Sequence, residues 1–223
     1  MTGAAPARRR GRPPAGSSAG DTGDRIVAAA VELFAEKGFH GTGVAEIGDR
    51  ADVQRGALYY HIGSKEELLW QILRDYIQVM LAEAEAITDG SGDPVDALRL
   101  LIDSHVRLII EHRREVAIQL RDVTALTGER AAELQHLRDR IQNCWQRMLD
   151  AGHAAGLLRT ADHVVTNSLL AMLNAVSFWY RPHGDRSPGE IAAIIAATVL
   201  DGLLTTPAAP TATAAPTTTD ERG

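Results

Sequence analysis

The chain has 223 residues, 45% apolar and 23% charged, which suffices for one or two domain cores and excludes a wholly disordered chain. Aromatics are only 4% while Ala, Leu and Ile crowd the apolar runs, which favours helices and excludes an all-β fold. The net charge of −6 argues against nucleic acid as a partner, but it is unevenly spread: residues 1–20 carry +4, residues 21–75 carry −4 and residues 76–223 carry −6.

The positive segment holds Arg8, Arg9, Arg10 and Arg12 among Ala, Gly, Pro and Ser, without apolar periodicity. It is expected to be an unfolded, anion-seeking arm over 1–20. Asp24 can cap a first helix in which Ile26, Ala29, Ala30, Leu33 and Phe34 recur at helical spacing, with Gly38 ending it. Two very short helices follow, near Val44–Arg50 and Arg55–Tyr60, with Ala51, Asp52 and Val53 as the turn. Ser64 and Glu67 form a capping box for a helix running to about Ile87.

Asp93 and Pro94 open the next helix, which reaches about His112. Further helices fit Glu115–Leu126, Arg130–Ala155 and Asp162–Tyr180, and Ser187, Pro188 and Glu190 cap a last one to about Leu204. The fold class is therefore all-α, with about nine helices and no strand or repeat. Residues 206–223, rich in Pro, Ala and Thr, read as a loose tail. The longest apolar run, Ile191–Leu200 broken by Thr198, is shorter than the roughly 18 residues of a membrane span. No hydrophobic secretion segment opens the chain, and a single cysteine, Cys144, permits no intrachain disulfide, so a reducing cytoplasm is the expected location.

Two short helices joined by a three- or four-residue turn, the second set to enter the major groove, make a helix-turn-helix. The first must bury Val44 and Ile47, the second must bury Leu58 and turn polar groups outward, and the turn needs a residue tolerant of a left-handed backbone. Asp52 can fill that place, though glycine would do so at lower cost. The ordered run from Thr42 through Asp52, Arg55, Gly56, Leu58, Tyr59, Tyr60, His61, Gly63 and Ser64 to Leu68, extended back to Gly38 and Phe39, resembles the DNA-binding domain of TetR-family regulators. The resemblance covers about Asp21 to Trp70. It departs from the usual pattern at Gly43, Gly48, Asp52, Gln54 and Ile62, and at Gly43 and Gln54 it lacks hydroxyls that commonly cap a helix or touch phosphate.

The resemblance implies a three-helix DNA-binding domain over 21–70 and a helical ligand-binding and dimerisation bundle over 71–205. It places Arg55 and Gly56, with Gln54 before them, nearest the base edges. Tyr59, Tyr60, His61 and Lys65 would hold phosphates, with Thr42 doing so from the other side. Tyr59 and Tyr60 also admit a packing role. Arg10, Gly11, Arg12 and Pro13 look like the core of an AT-hook, in which Arg10 and Arg12 would lie in a narrow minor groove; an unspecific basic tail explains them equally well.

In TetR-like proteins the last two helices pair with a second subunit. The stripe Leu169, Leu173, Val176 and Tyr180 and the small residues Ala192, Ala193, Ala196 and Ala197 suit such a homodimer. Trp145, Met148, Met172, Phe178 and Trp179 are candidates to line a ligand cavity, with His105, Arg121 and Asn174 orienting its occupant, although stripes of this kind are usually core. Phe178 to Gly184 followed by Ser187, Pro188 and Glu190 looks like the Trp-Tyr-Arg-Pro segment of a TetR subgroup that includes regulators of steroid and fatty-acid breakdown, some responsive to coenzyme A thioesters.

The expected function is thus a ligand-responsive regulator, a repressor by preference, that holds a palindromic double-stranded operator as a dimer and is released by a small-molecule effector. Two alternatives stand beside it: an enzyme using the C-terminal helices, and an activator or architectural protein in which the arm dominates. The first has little support. There is no Gly-rich phosphate loop, no G-x-S-x-G elbow and no second histidine to complete a zinc site with Glu111 and His112, and Cys144 reads as a small buried hydrophobe. No catalytic group, cofactor, metal site or membrane partner is expected.

Overall fold

The computed structural model describes residues 19–204. Among these, nine helices of at least two turns and one single-turn helix form in chain order: α1 (Ala19–Lys37), α2 (Val44–Ala51), α3 (Arg55–Ile62), α4 (Lys65–Gly90), α5 (Pro94–Glu111), α6 (Arg113–Asp122), α7 (Gly128–Ala154), α8 (His163–Asn174), α9 (Val176–Trp179) and α10 (Pro188–Leu203). The described residues form no strand, only a lone antiparallel bridge between Leu158 and Leu204. The all-α expectation holds.

The chain divides into two compact units, one of residues up to Val79 with His112–Leu137, the other of Met80–Glu111 with residues from Arg138 onward. In the first, α1 packs against α2, α3 and α6. Its core joins the positions read from the sequence, Ile26, Ala30, Leu33 and Phe34 of α1, Ile47 of α2 and Leu58 of α3, to Leu68, Leu69 and Leu73 of α4, all shut off from solvent, whereas Val44, expected beside Ile47, is only half-buried at the start of α2. Burying each of these large side chains contributes about 1.5–3 kcal/mol, which is what holds two helices as short as α2 and α3 in place. Exposed pairs between Lys37 and Glu46 and between Arg50 and Glu32 add little.

Several boundaries differ from the sequence reading. Helix α1 begins at Ala19 rather than after Asp24, because a helix already nucleated by its buried stripe extends at one hydrogen bond per added residue. Gly38 ends it as expected, at φ +81°, a left-handed conformation open to glycine at no steric cost. Ser64 accepts the Glu67 N–H at 2.9 Å, but the Glu67 carboxylate turns to Arg130 instead of completing the box.

In the second unit α5 is central, with α8, α9 and α10 packed on it. Leu98, Ile102, Val106 and Ile109 meet Trp145, Leu149, Leu173, Val176 and Leu200 in a closed core. Asp93 caps α5 by accepting the Val95 and Asp96 N–H groups, and Ser187 with Glu190 forms the full capping box of α10. The helix expected over Asp162–Tyr180 is interrupted at Ala175. There the Ser177 hydroxyl donates to the Asn174 carbonyl at 2.7 Å and Phe178 N–H turns to Ala175, so local bonds replace the regular ladder. The stretch expected as Glu115–Leu126 likewise ends as a helix at Asp122 and finishes in one 3₁₀ turn, Val123–Ala125. Among the described residues no helix is long and apolar enough to cross a membrane.

Candidate nucleic-acid interface

Helices α2 and α3 are joined through Asp52, which sits at φ 53° and ψ 49°, the left-handed conformation the turn was expected to require. Val53 N–H reaches back to the Gly48 carbonyl at 2.9 Å, and a side chain at Gly48 would stand 3.2 Å from Leu58 Cδ2, so glycine lets the two helices close on each other. Leu58 and Ile62 anchor α3 inward. Its other face is open. Arg55 and Gly56 are exposed in its first turn, Tyr59 and Tyr60 are 45% and 86% exposed, and His61 is half-buried beside Tyr60. The Arg55 guanidinium lies 5.8 Å from the centre of the Tyr59 ring, so base-edge and phosphate candidates share one surface. Neither tyrosine packs in the core.

Three other candidates stand differently. Gln54 and Gly43 are the N-caps of α3 and α2, and neither provides a side-chain cap, as the missing hydroxyls implied. Thr42 is 2% exposed and its hydroxyl donates to the Gly38 and Leu33 carbonyls at 2.8 and 3.2 Å; a buried hydroxyl with its proton engaged cannot reach phosphate from outside. Lys65 Nζ donates to the Phe39 and Thr42 carbonyls, both at 2.9 Å, and sits 4.4 Å from the Phe39 ring centre. Two of its three N–H groups thereby fasten α4 to the α1–α2 loop, from a side chain that is half-buried. Arg10 and Arg12 lie outside the described residues.

Of the ligand candidates, His105, Trp145 and Asn174 come together. His105 Nε2 and Asn174 Oδ1 are 3.0 Å apart, and the histidine ring meets the Trp145 ring edge-on at 5.8 Å. Burial drives the His105 pKa from 6.5 down to about 4, against the opposing effect of Asn174, so the imidazole is neutral near pH 7. His105 and Trp145 line a cavity of about 10 Å³ with Met80, Ala84, Ser104 and Leu108, none of which the sequence singles out. The remaining candidates do not join them. Met172 lines an open groove between α8 and α10, Met148 lines neither space, and Phe178 and Trp179 are 73% and 53% exposed where the break before α9 turns them outward. Arg121 lies in the first unit, donating to the Phe34 and Ala35 carbonyls at the end of α1.

Residues 26–72 match the family profile described as bacterial regulatory proteins of the tetR family, and residues 91–203 match the tetracyclin repressor-like C-terminal domain. The transcriptional repressor KstR2 of Rhodococcus jostii strain RHA1 is 31% identical over 196 residues, covering 86% of this chain and 96% of the relative. The chain belongs to the TetR family of transcriptional regulators. Among solved structures, the TetR-family regulator PfmR of Thermus thermophilus matches with a TM-score of 0.74 at 31% identity, over 80% of this chain and 98% of that one. The ketosteroid regulator KstR2 of Mycobacterium tuberculosis matches with a TM-score of 0.77 at 26% identity, over 82% of this chain and 95% of that one.

One feature of this TetR-family regulator has no signal in the sequence. Asp122, at the end of α6, is buried and accepts the Phe39 N–H at 3.2 Å and the Arg121 Nε at 3.1 Å, so the turn leading to α2 is held from a residue 83 positions away. At Asp52 the regulator carries a β-carbon where glycine would be unstrained. Asp52→Gly is expected to stabilise the protein by about 0.5–1 kcal/mol and Asp52→Val to destabilise it by about 1–2 kcal/mol, read as opposite shifts in thermal midpoint.

Proposed function

We propose that this regulator is a repressor that holds a palindromic operator as a homodimer and is released by a small molecule entering its C-terminal unit. The observation that carries the reading is the outward face of α3, where Arg55, Gly56, Tyr59, Tyr60 and His61 are presented by a helix fixed through Leu58 and Ile62. Arg55 pairs with a base edge, while Tyr59, Tyr60 and His61 hold phosphates and set the register. The basic arm with Arg10 and Arg12 adds salt-sensitive affinity from the adjacent minor groove.

Dimerisation is supported by the groove of about 400 Å³ between α8 and α10, lined by Val164, Leu169, Met172, Val199 and Leu203, with Ile194 exposed nearby on α10. A second copy laid across it would bury these side chains and set two α3 helices on successive turns of the duplex. The effector enters beside His105, Asn174 and Trp145. Because about 10 Å³ holds no more than a single water, side chains must part to admit it, and that displacement is what couples the ligand to the operator. A coenzyme A thioester from steroid or fatty-acid breakdown is the effector class we favour, on the Trp179-Tyr180-Arg181-Pro182 resemblance and the KstR2 relatives.

Fluorescence anisotropy with DNA flanking the gene tests the reading. Salt-sensitive, sequence-selective binding between nanomolar and micromolar protein is expected, and its absence would refute operator recognition. Arg55→Ala should erase about 1–3 kcal/mol of preference at one base pair in each half-site. Lys65→Ala should weaken binding to all sequences alike, through loss of its hold on the α1–α2 loop.

A further inference from the structure

A second cavity, of about 170 Å³, lies within the first unit between α1, α4 and α6. Val27 and Val31 of α1 and Ile72 and Val79 of α4 make its apolar walls. Its polar end is formed by Tyr76, His112 and Glu115, with Asp75 also lining it. Tyr76 is only 6% exposed, and it lines the cavity with its ring beside that of His112. Polar groups set in the wall of a largely apolar cavity are what orient a ligand there.

The lining decides the sign of the ligand's charge. Glu115 stands 3.9 Å from His112 Nδ1, too far for a close ion pair, and the Tyr76 and His112 rings meet with centres 5.5 Å apart. Asp75 is held by Arg74, which itself lies over Trp70. No lysine or arginine lines the cavity, and with Asp75 paired to Arg74 the Glu115 carboxylate is the charge that faces its occupant. Burial and the Glu115 charge push the Tyr76 ionisation up, so it stays a neutral phenol whose ring face attracts positive charge. We propose that this cavity binds a small organic cation, an ammonium head against Glu115 and Tyr76 with a short apolar body among the valines. The volume suits about six to eight non-hydrogen atoms, since a cavity of about 150 Å³ accepts benzene.

Calorimetric titration with n-pentylammonium, with n-pentanol and pentanoate as neutral and anionic matches, tests this on the full chain. Saturable binding of the amine alone is expected, with perturbed methyl resonances of Val27, Val31 and Val79. Glu115→Gln, which keeps the side chain's shape, should weaken the amine at least about tenfold by removing a charge-assisted bond. Silence towards the amine, equal binding of n-pentanol, or amine binding unchanged in Glu115→Gln would each overturn the assignment. No DNA is present in the titration, so its outcome is separate from that of operator recognition.

Discussion

Asp122→Ala is expected to lower the unfolding free energy by about 1–3 kcal/mol, because it strands a buried backbone donor and removes the carboxylate that holds Arg121. The carboxylate accepts from Phe39 N–H and from both Nε and Nη2 of Arg121, whose guanidinium in turn satisfies carbonyls at the end of α1. Water cannot readily replace it. Asp122→Asn retains an oxygen for Phe39 and should lose less, whereas Arg121→Ala leaves the buried carboxylate without its cation and should cost more than Asp122→Asn. Urea unfolding of the three variants gives the order. The same variants should weaken DNA binding without changing which sequence is preferred, because the turn they loosen orients α2 and α3 while Arg55 is untouched. Equal stability of Asp122→Ala and the parent would mean that α6 does not hold that turn.

The second large effect is a pH dependence centred on His105. In the unfolded chain this imidazole protonates near pH 6.5, whereas in the folded protein it stays neutral down to about pH 4. Between those values the unfolded state binds the extra proton, so stability contributed near neutral pH is lost as the pH falls from 6.5 to about 4. The loss reaches about 3 kcal/mol. His105→Gln removes the titration and should flatten this part of the acid limb relative to the parent. Unfolding free energies of both proteins at pH 7 and pH 4.5 check it: parallel curves would exclude His105 as the source. An effector that seats an anionic group beside His105 would raise its pKa and so bind more tightly at lower pH.

The helix-turn-helix was legible because its signals are local. The apolar period of α1, the short α2 and α3, the left-handed Asp52 and the caps at Asp93 and Ser187 each depend on residues within a few positions of one another. The exposed face of α3 follows from the same period, once Leu58 and Ile62 are taken as its buried side. The break at Ala175 leaves no mark in the sequence because hydrophobic spacing runs unbroken through Asp162–Tyr180, and it is held by the Ser177 hydroxyl on the Asn174 carbonyl.

What the amino-acid order determined alone is the helical class, the turn chemistry and the family to which the chain belongs. The partner of each long polar side chain was settled only by the assembled fold. Thr42 and Lys65 looked like phosphate ligands and became internal ties; Arg121 looked like a ligand contact and became a clamp on α1. Tyr76, His112 and Glu115 carried no recognisable spacing, yet they share one cavity wall. The physical reason is range. Backbone geometry and capping are fixed by neighbours along the chain, whereas a flexible charged or hydroxylated side chain takes whichever unsatisfied group packing brings within about 3 Å.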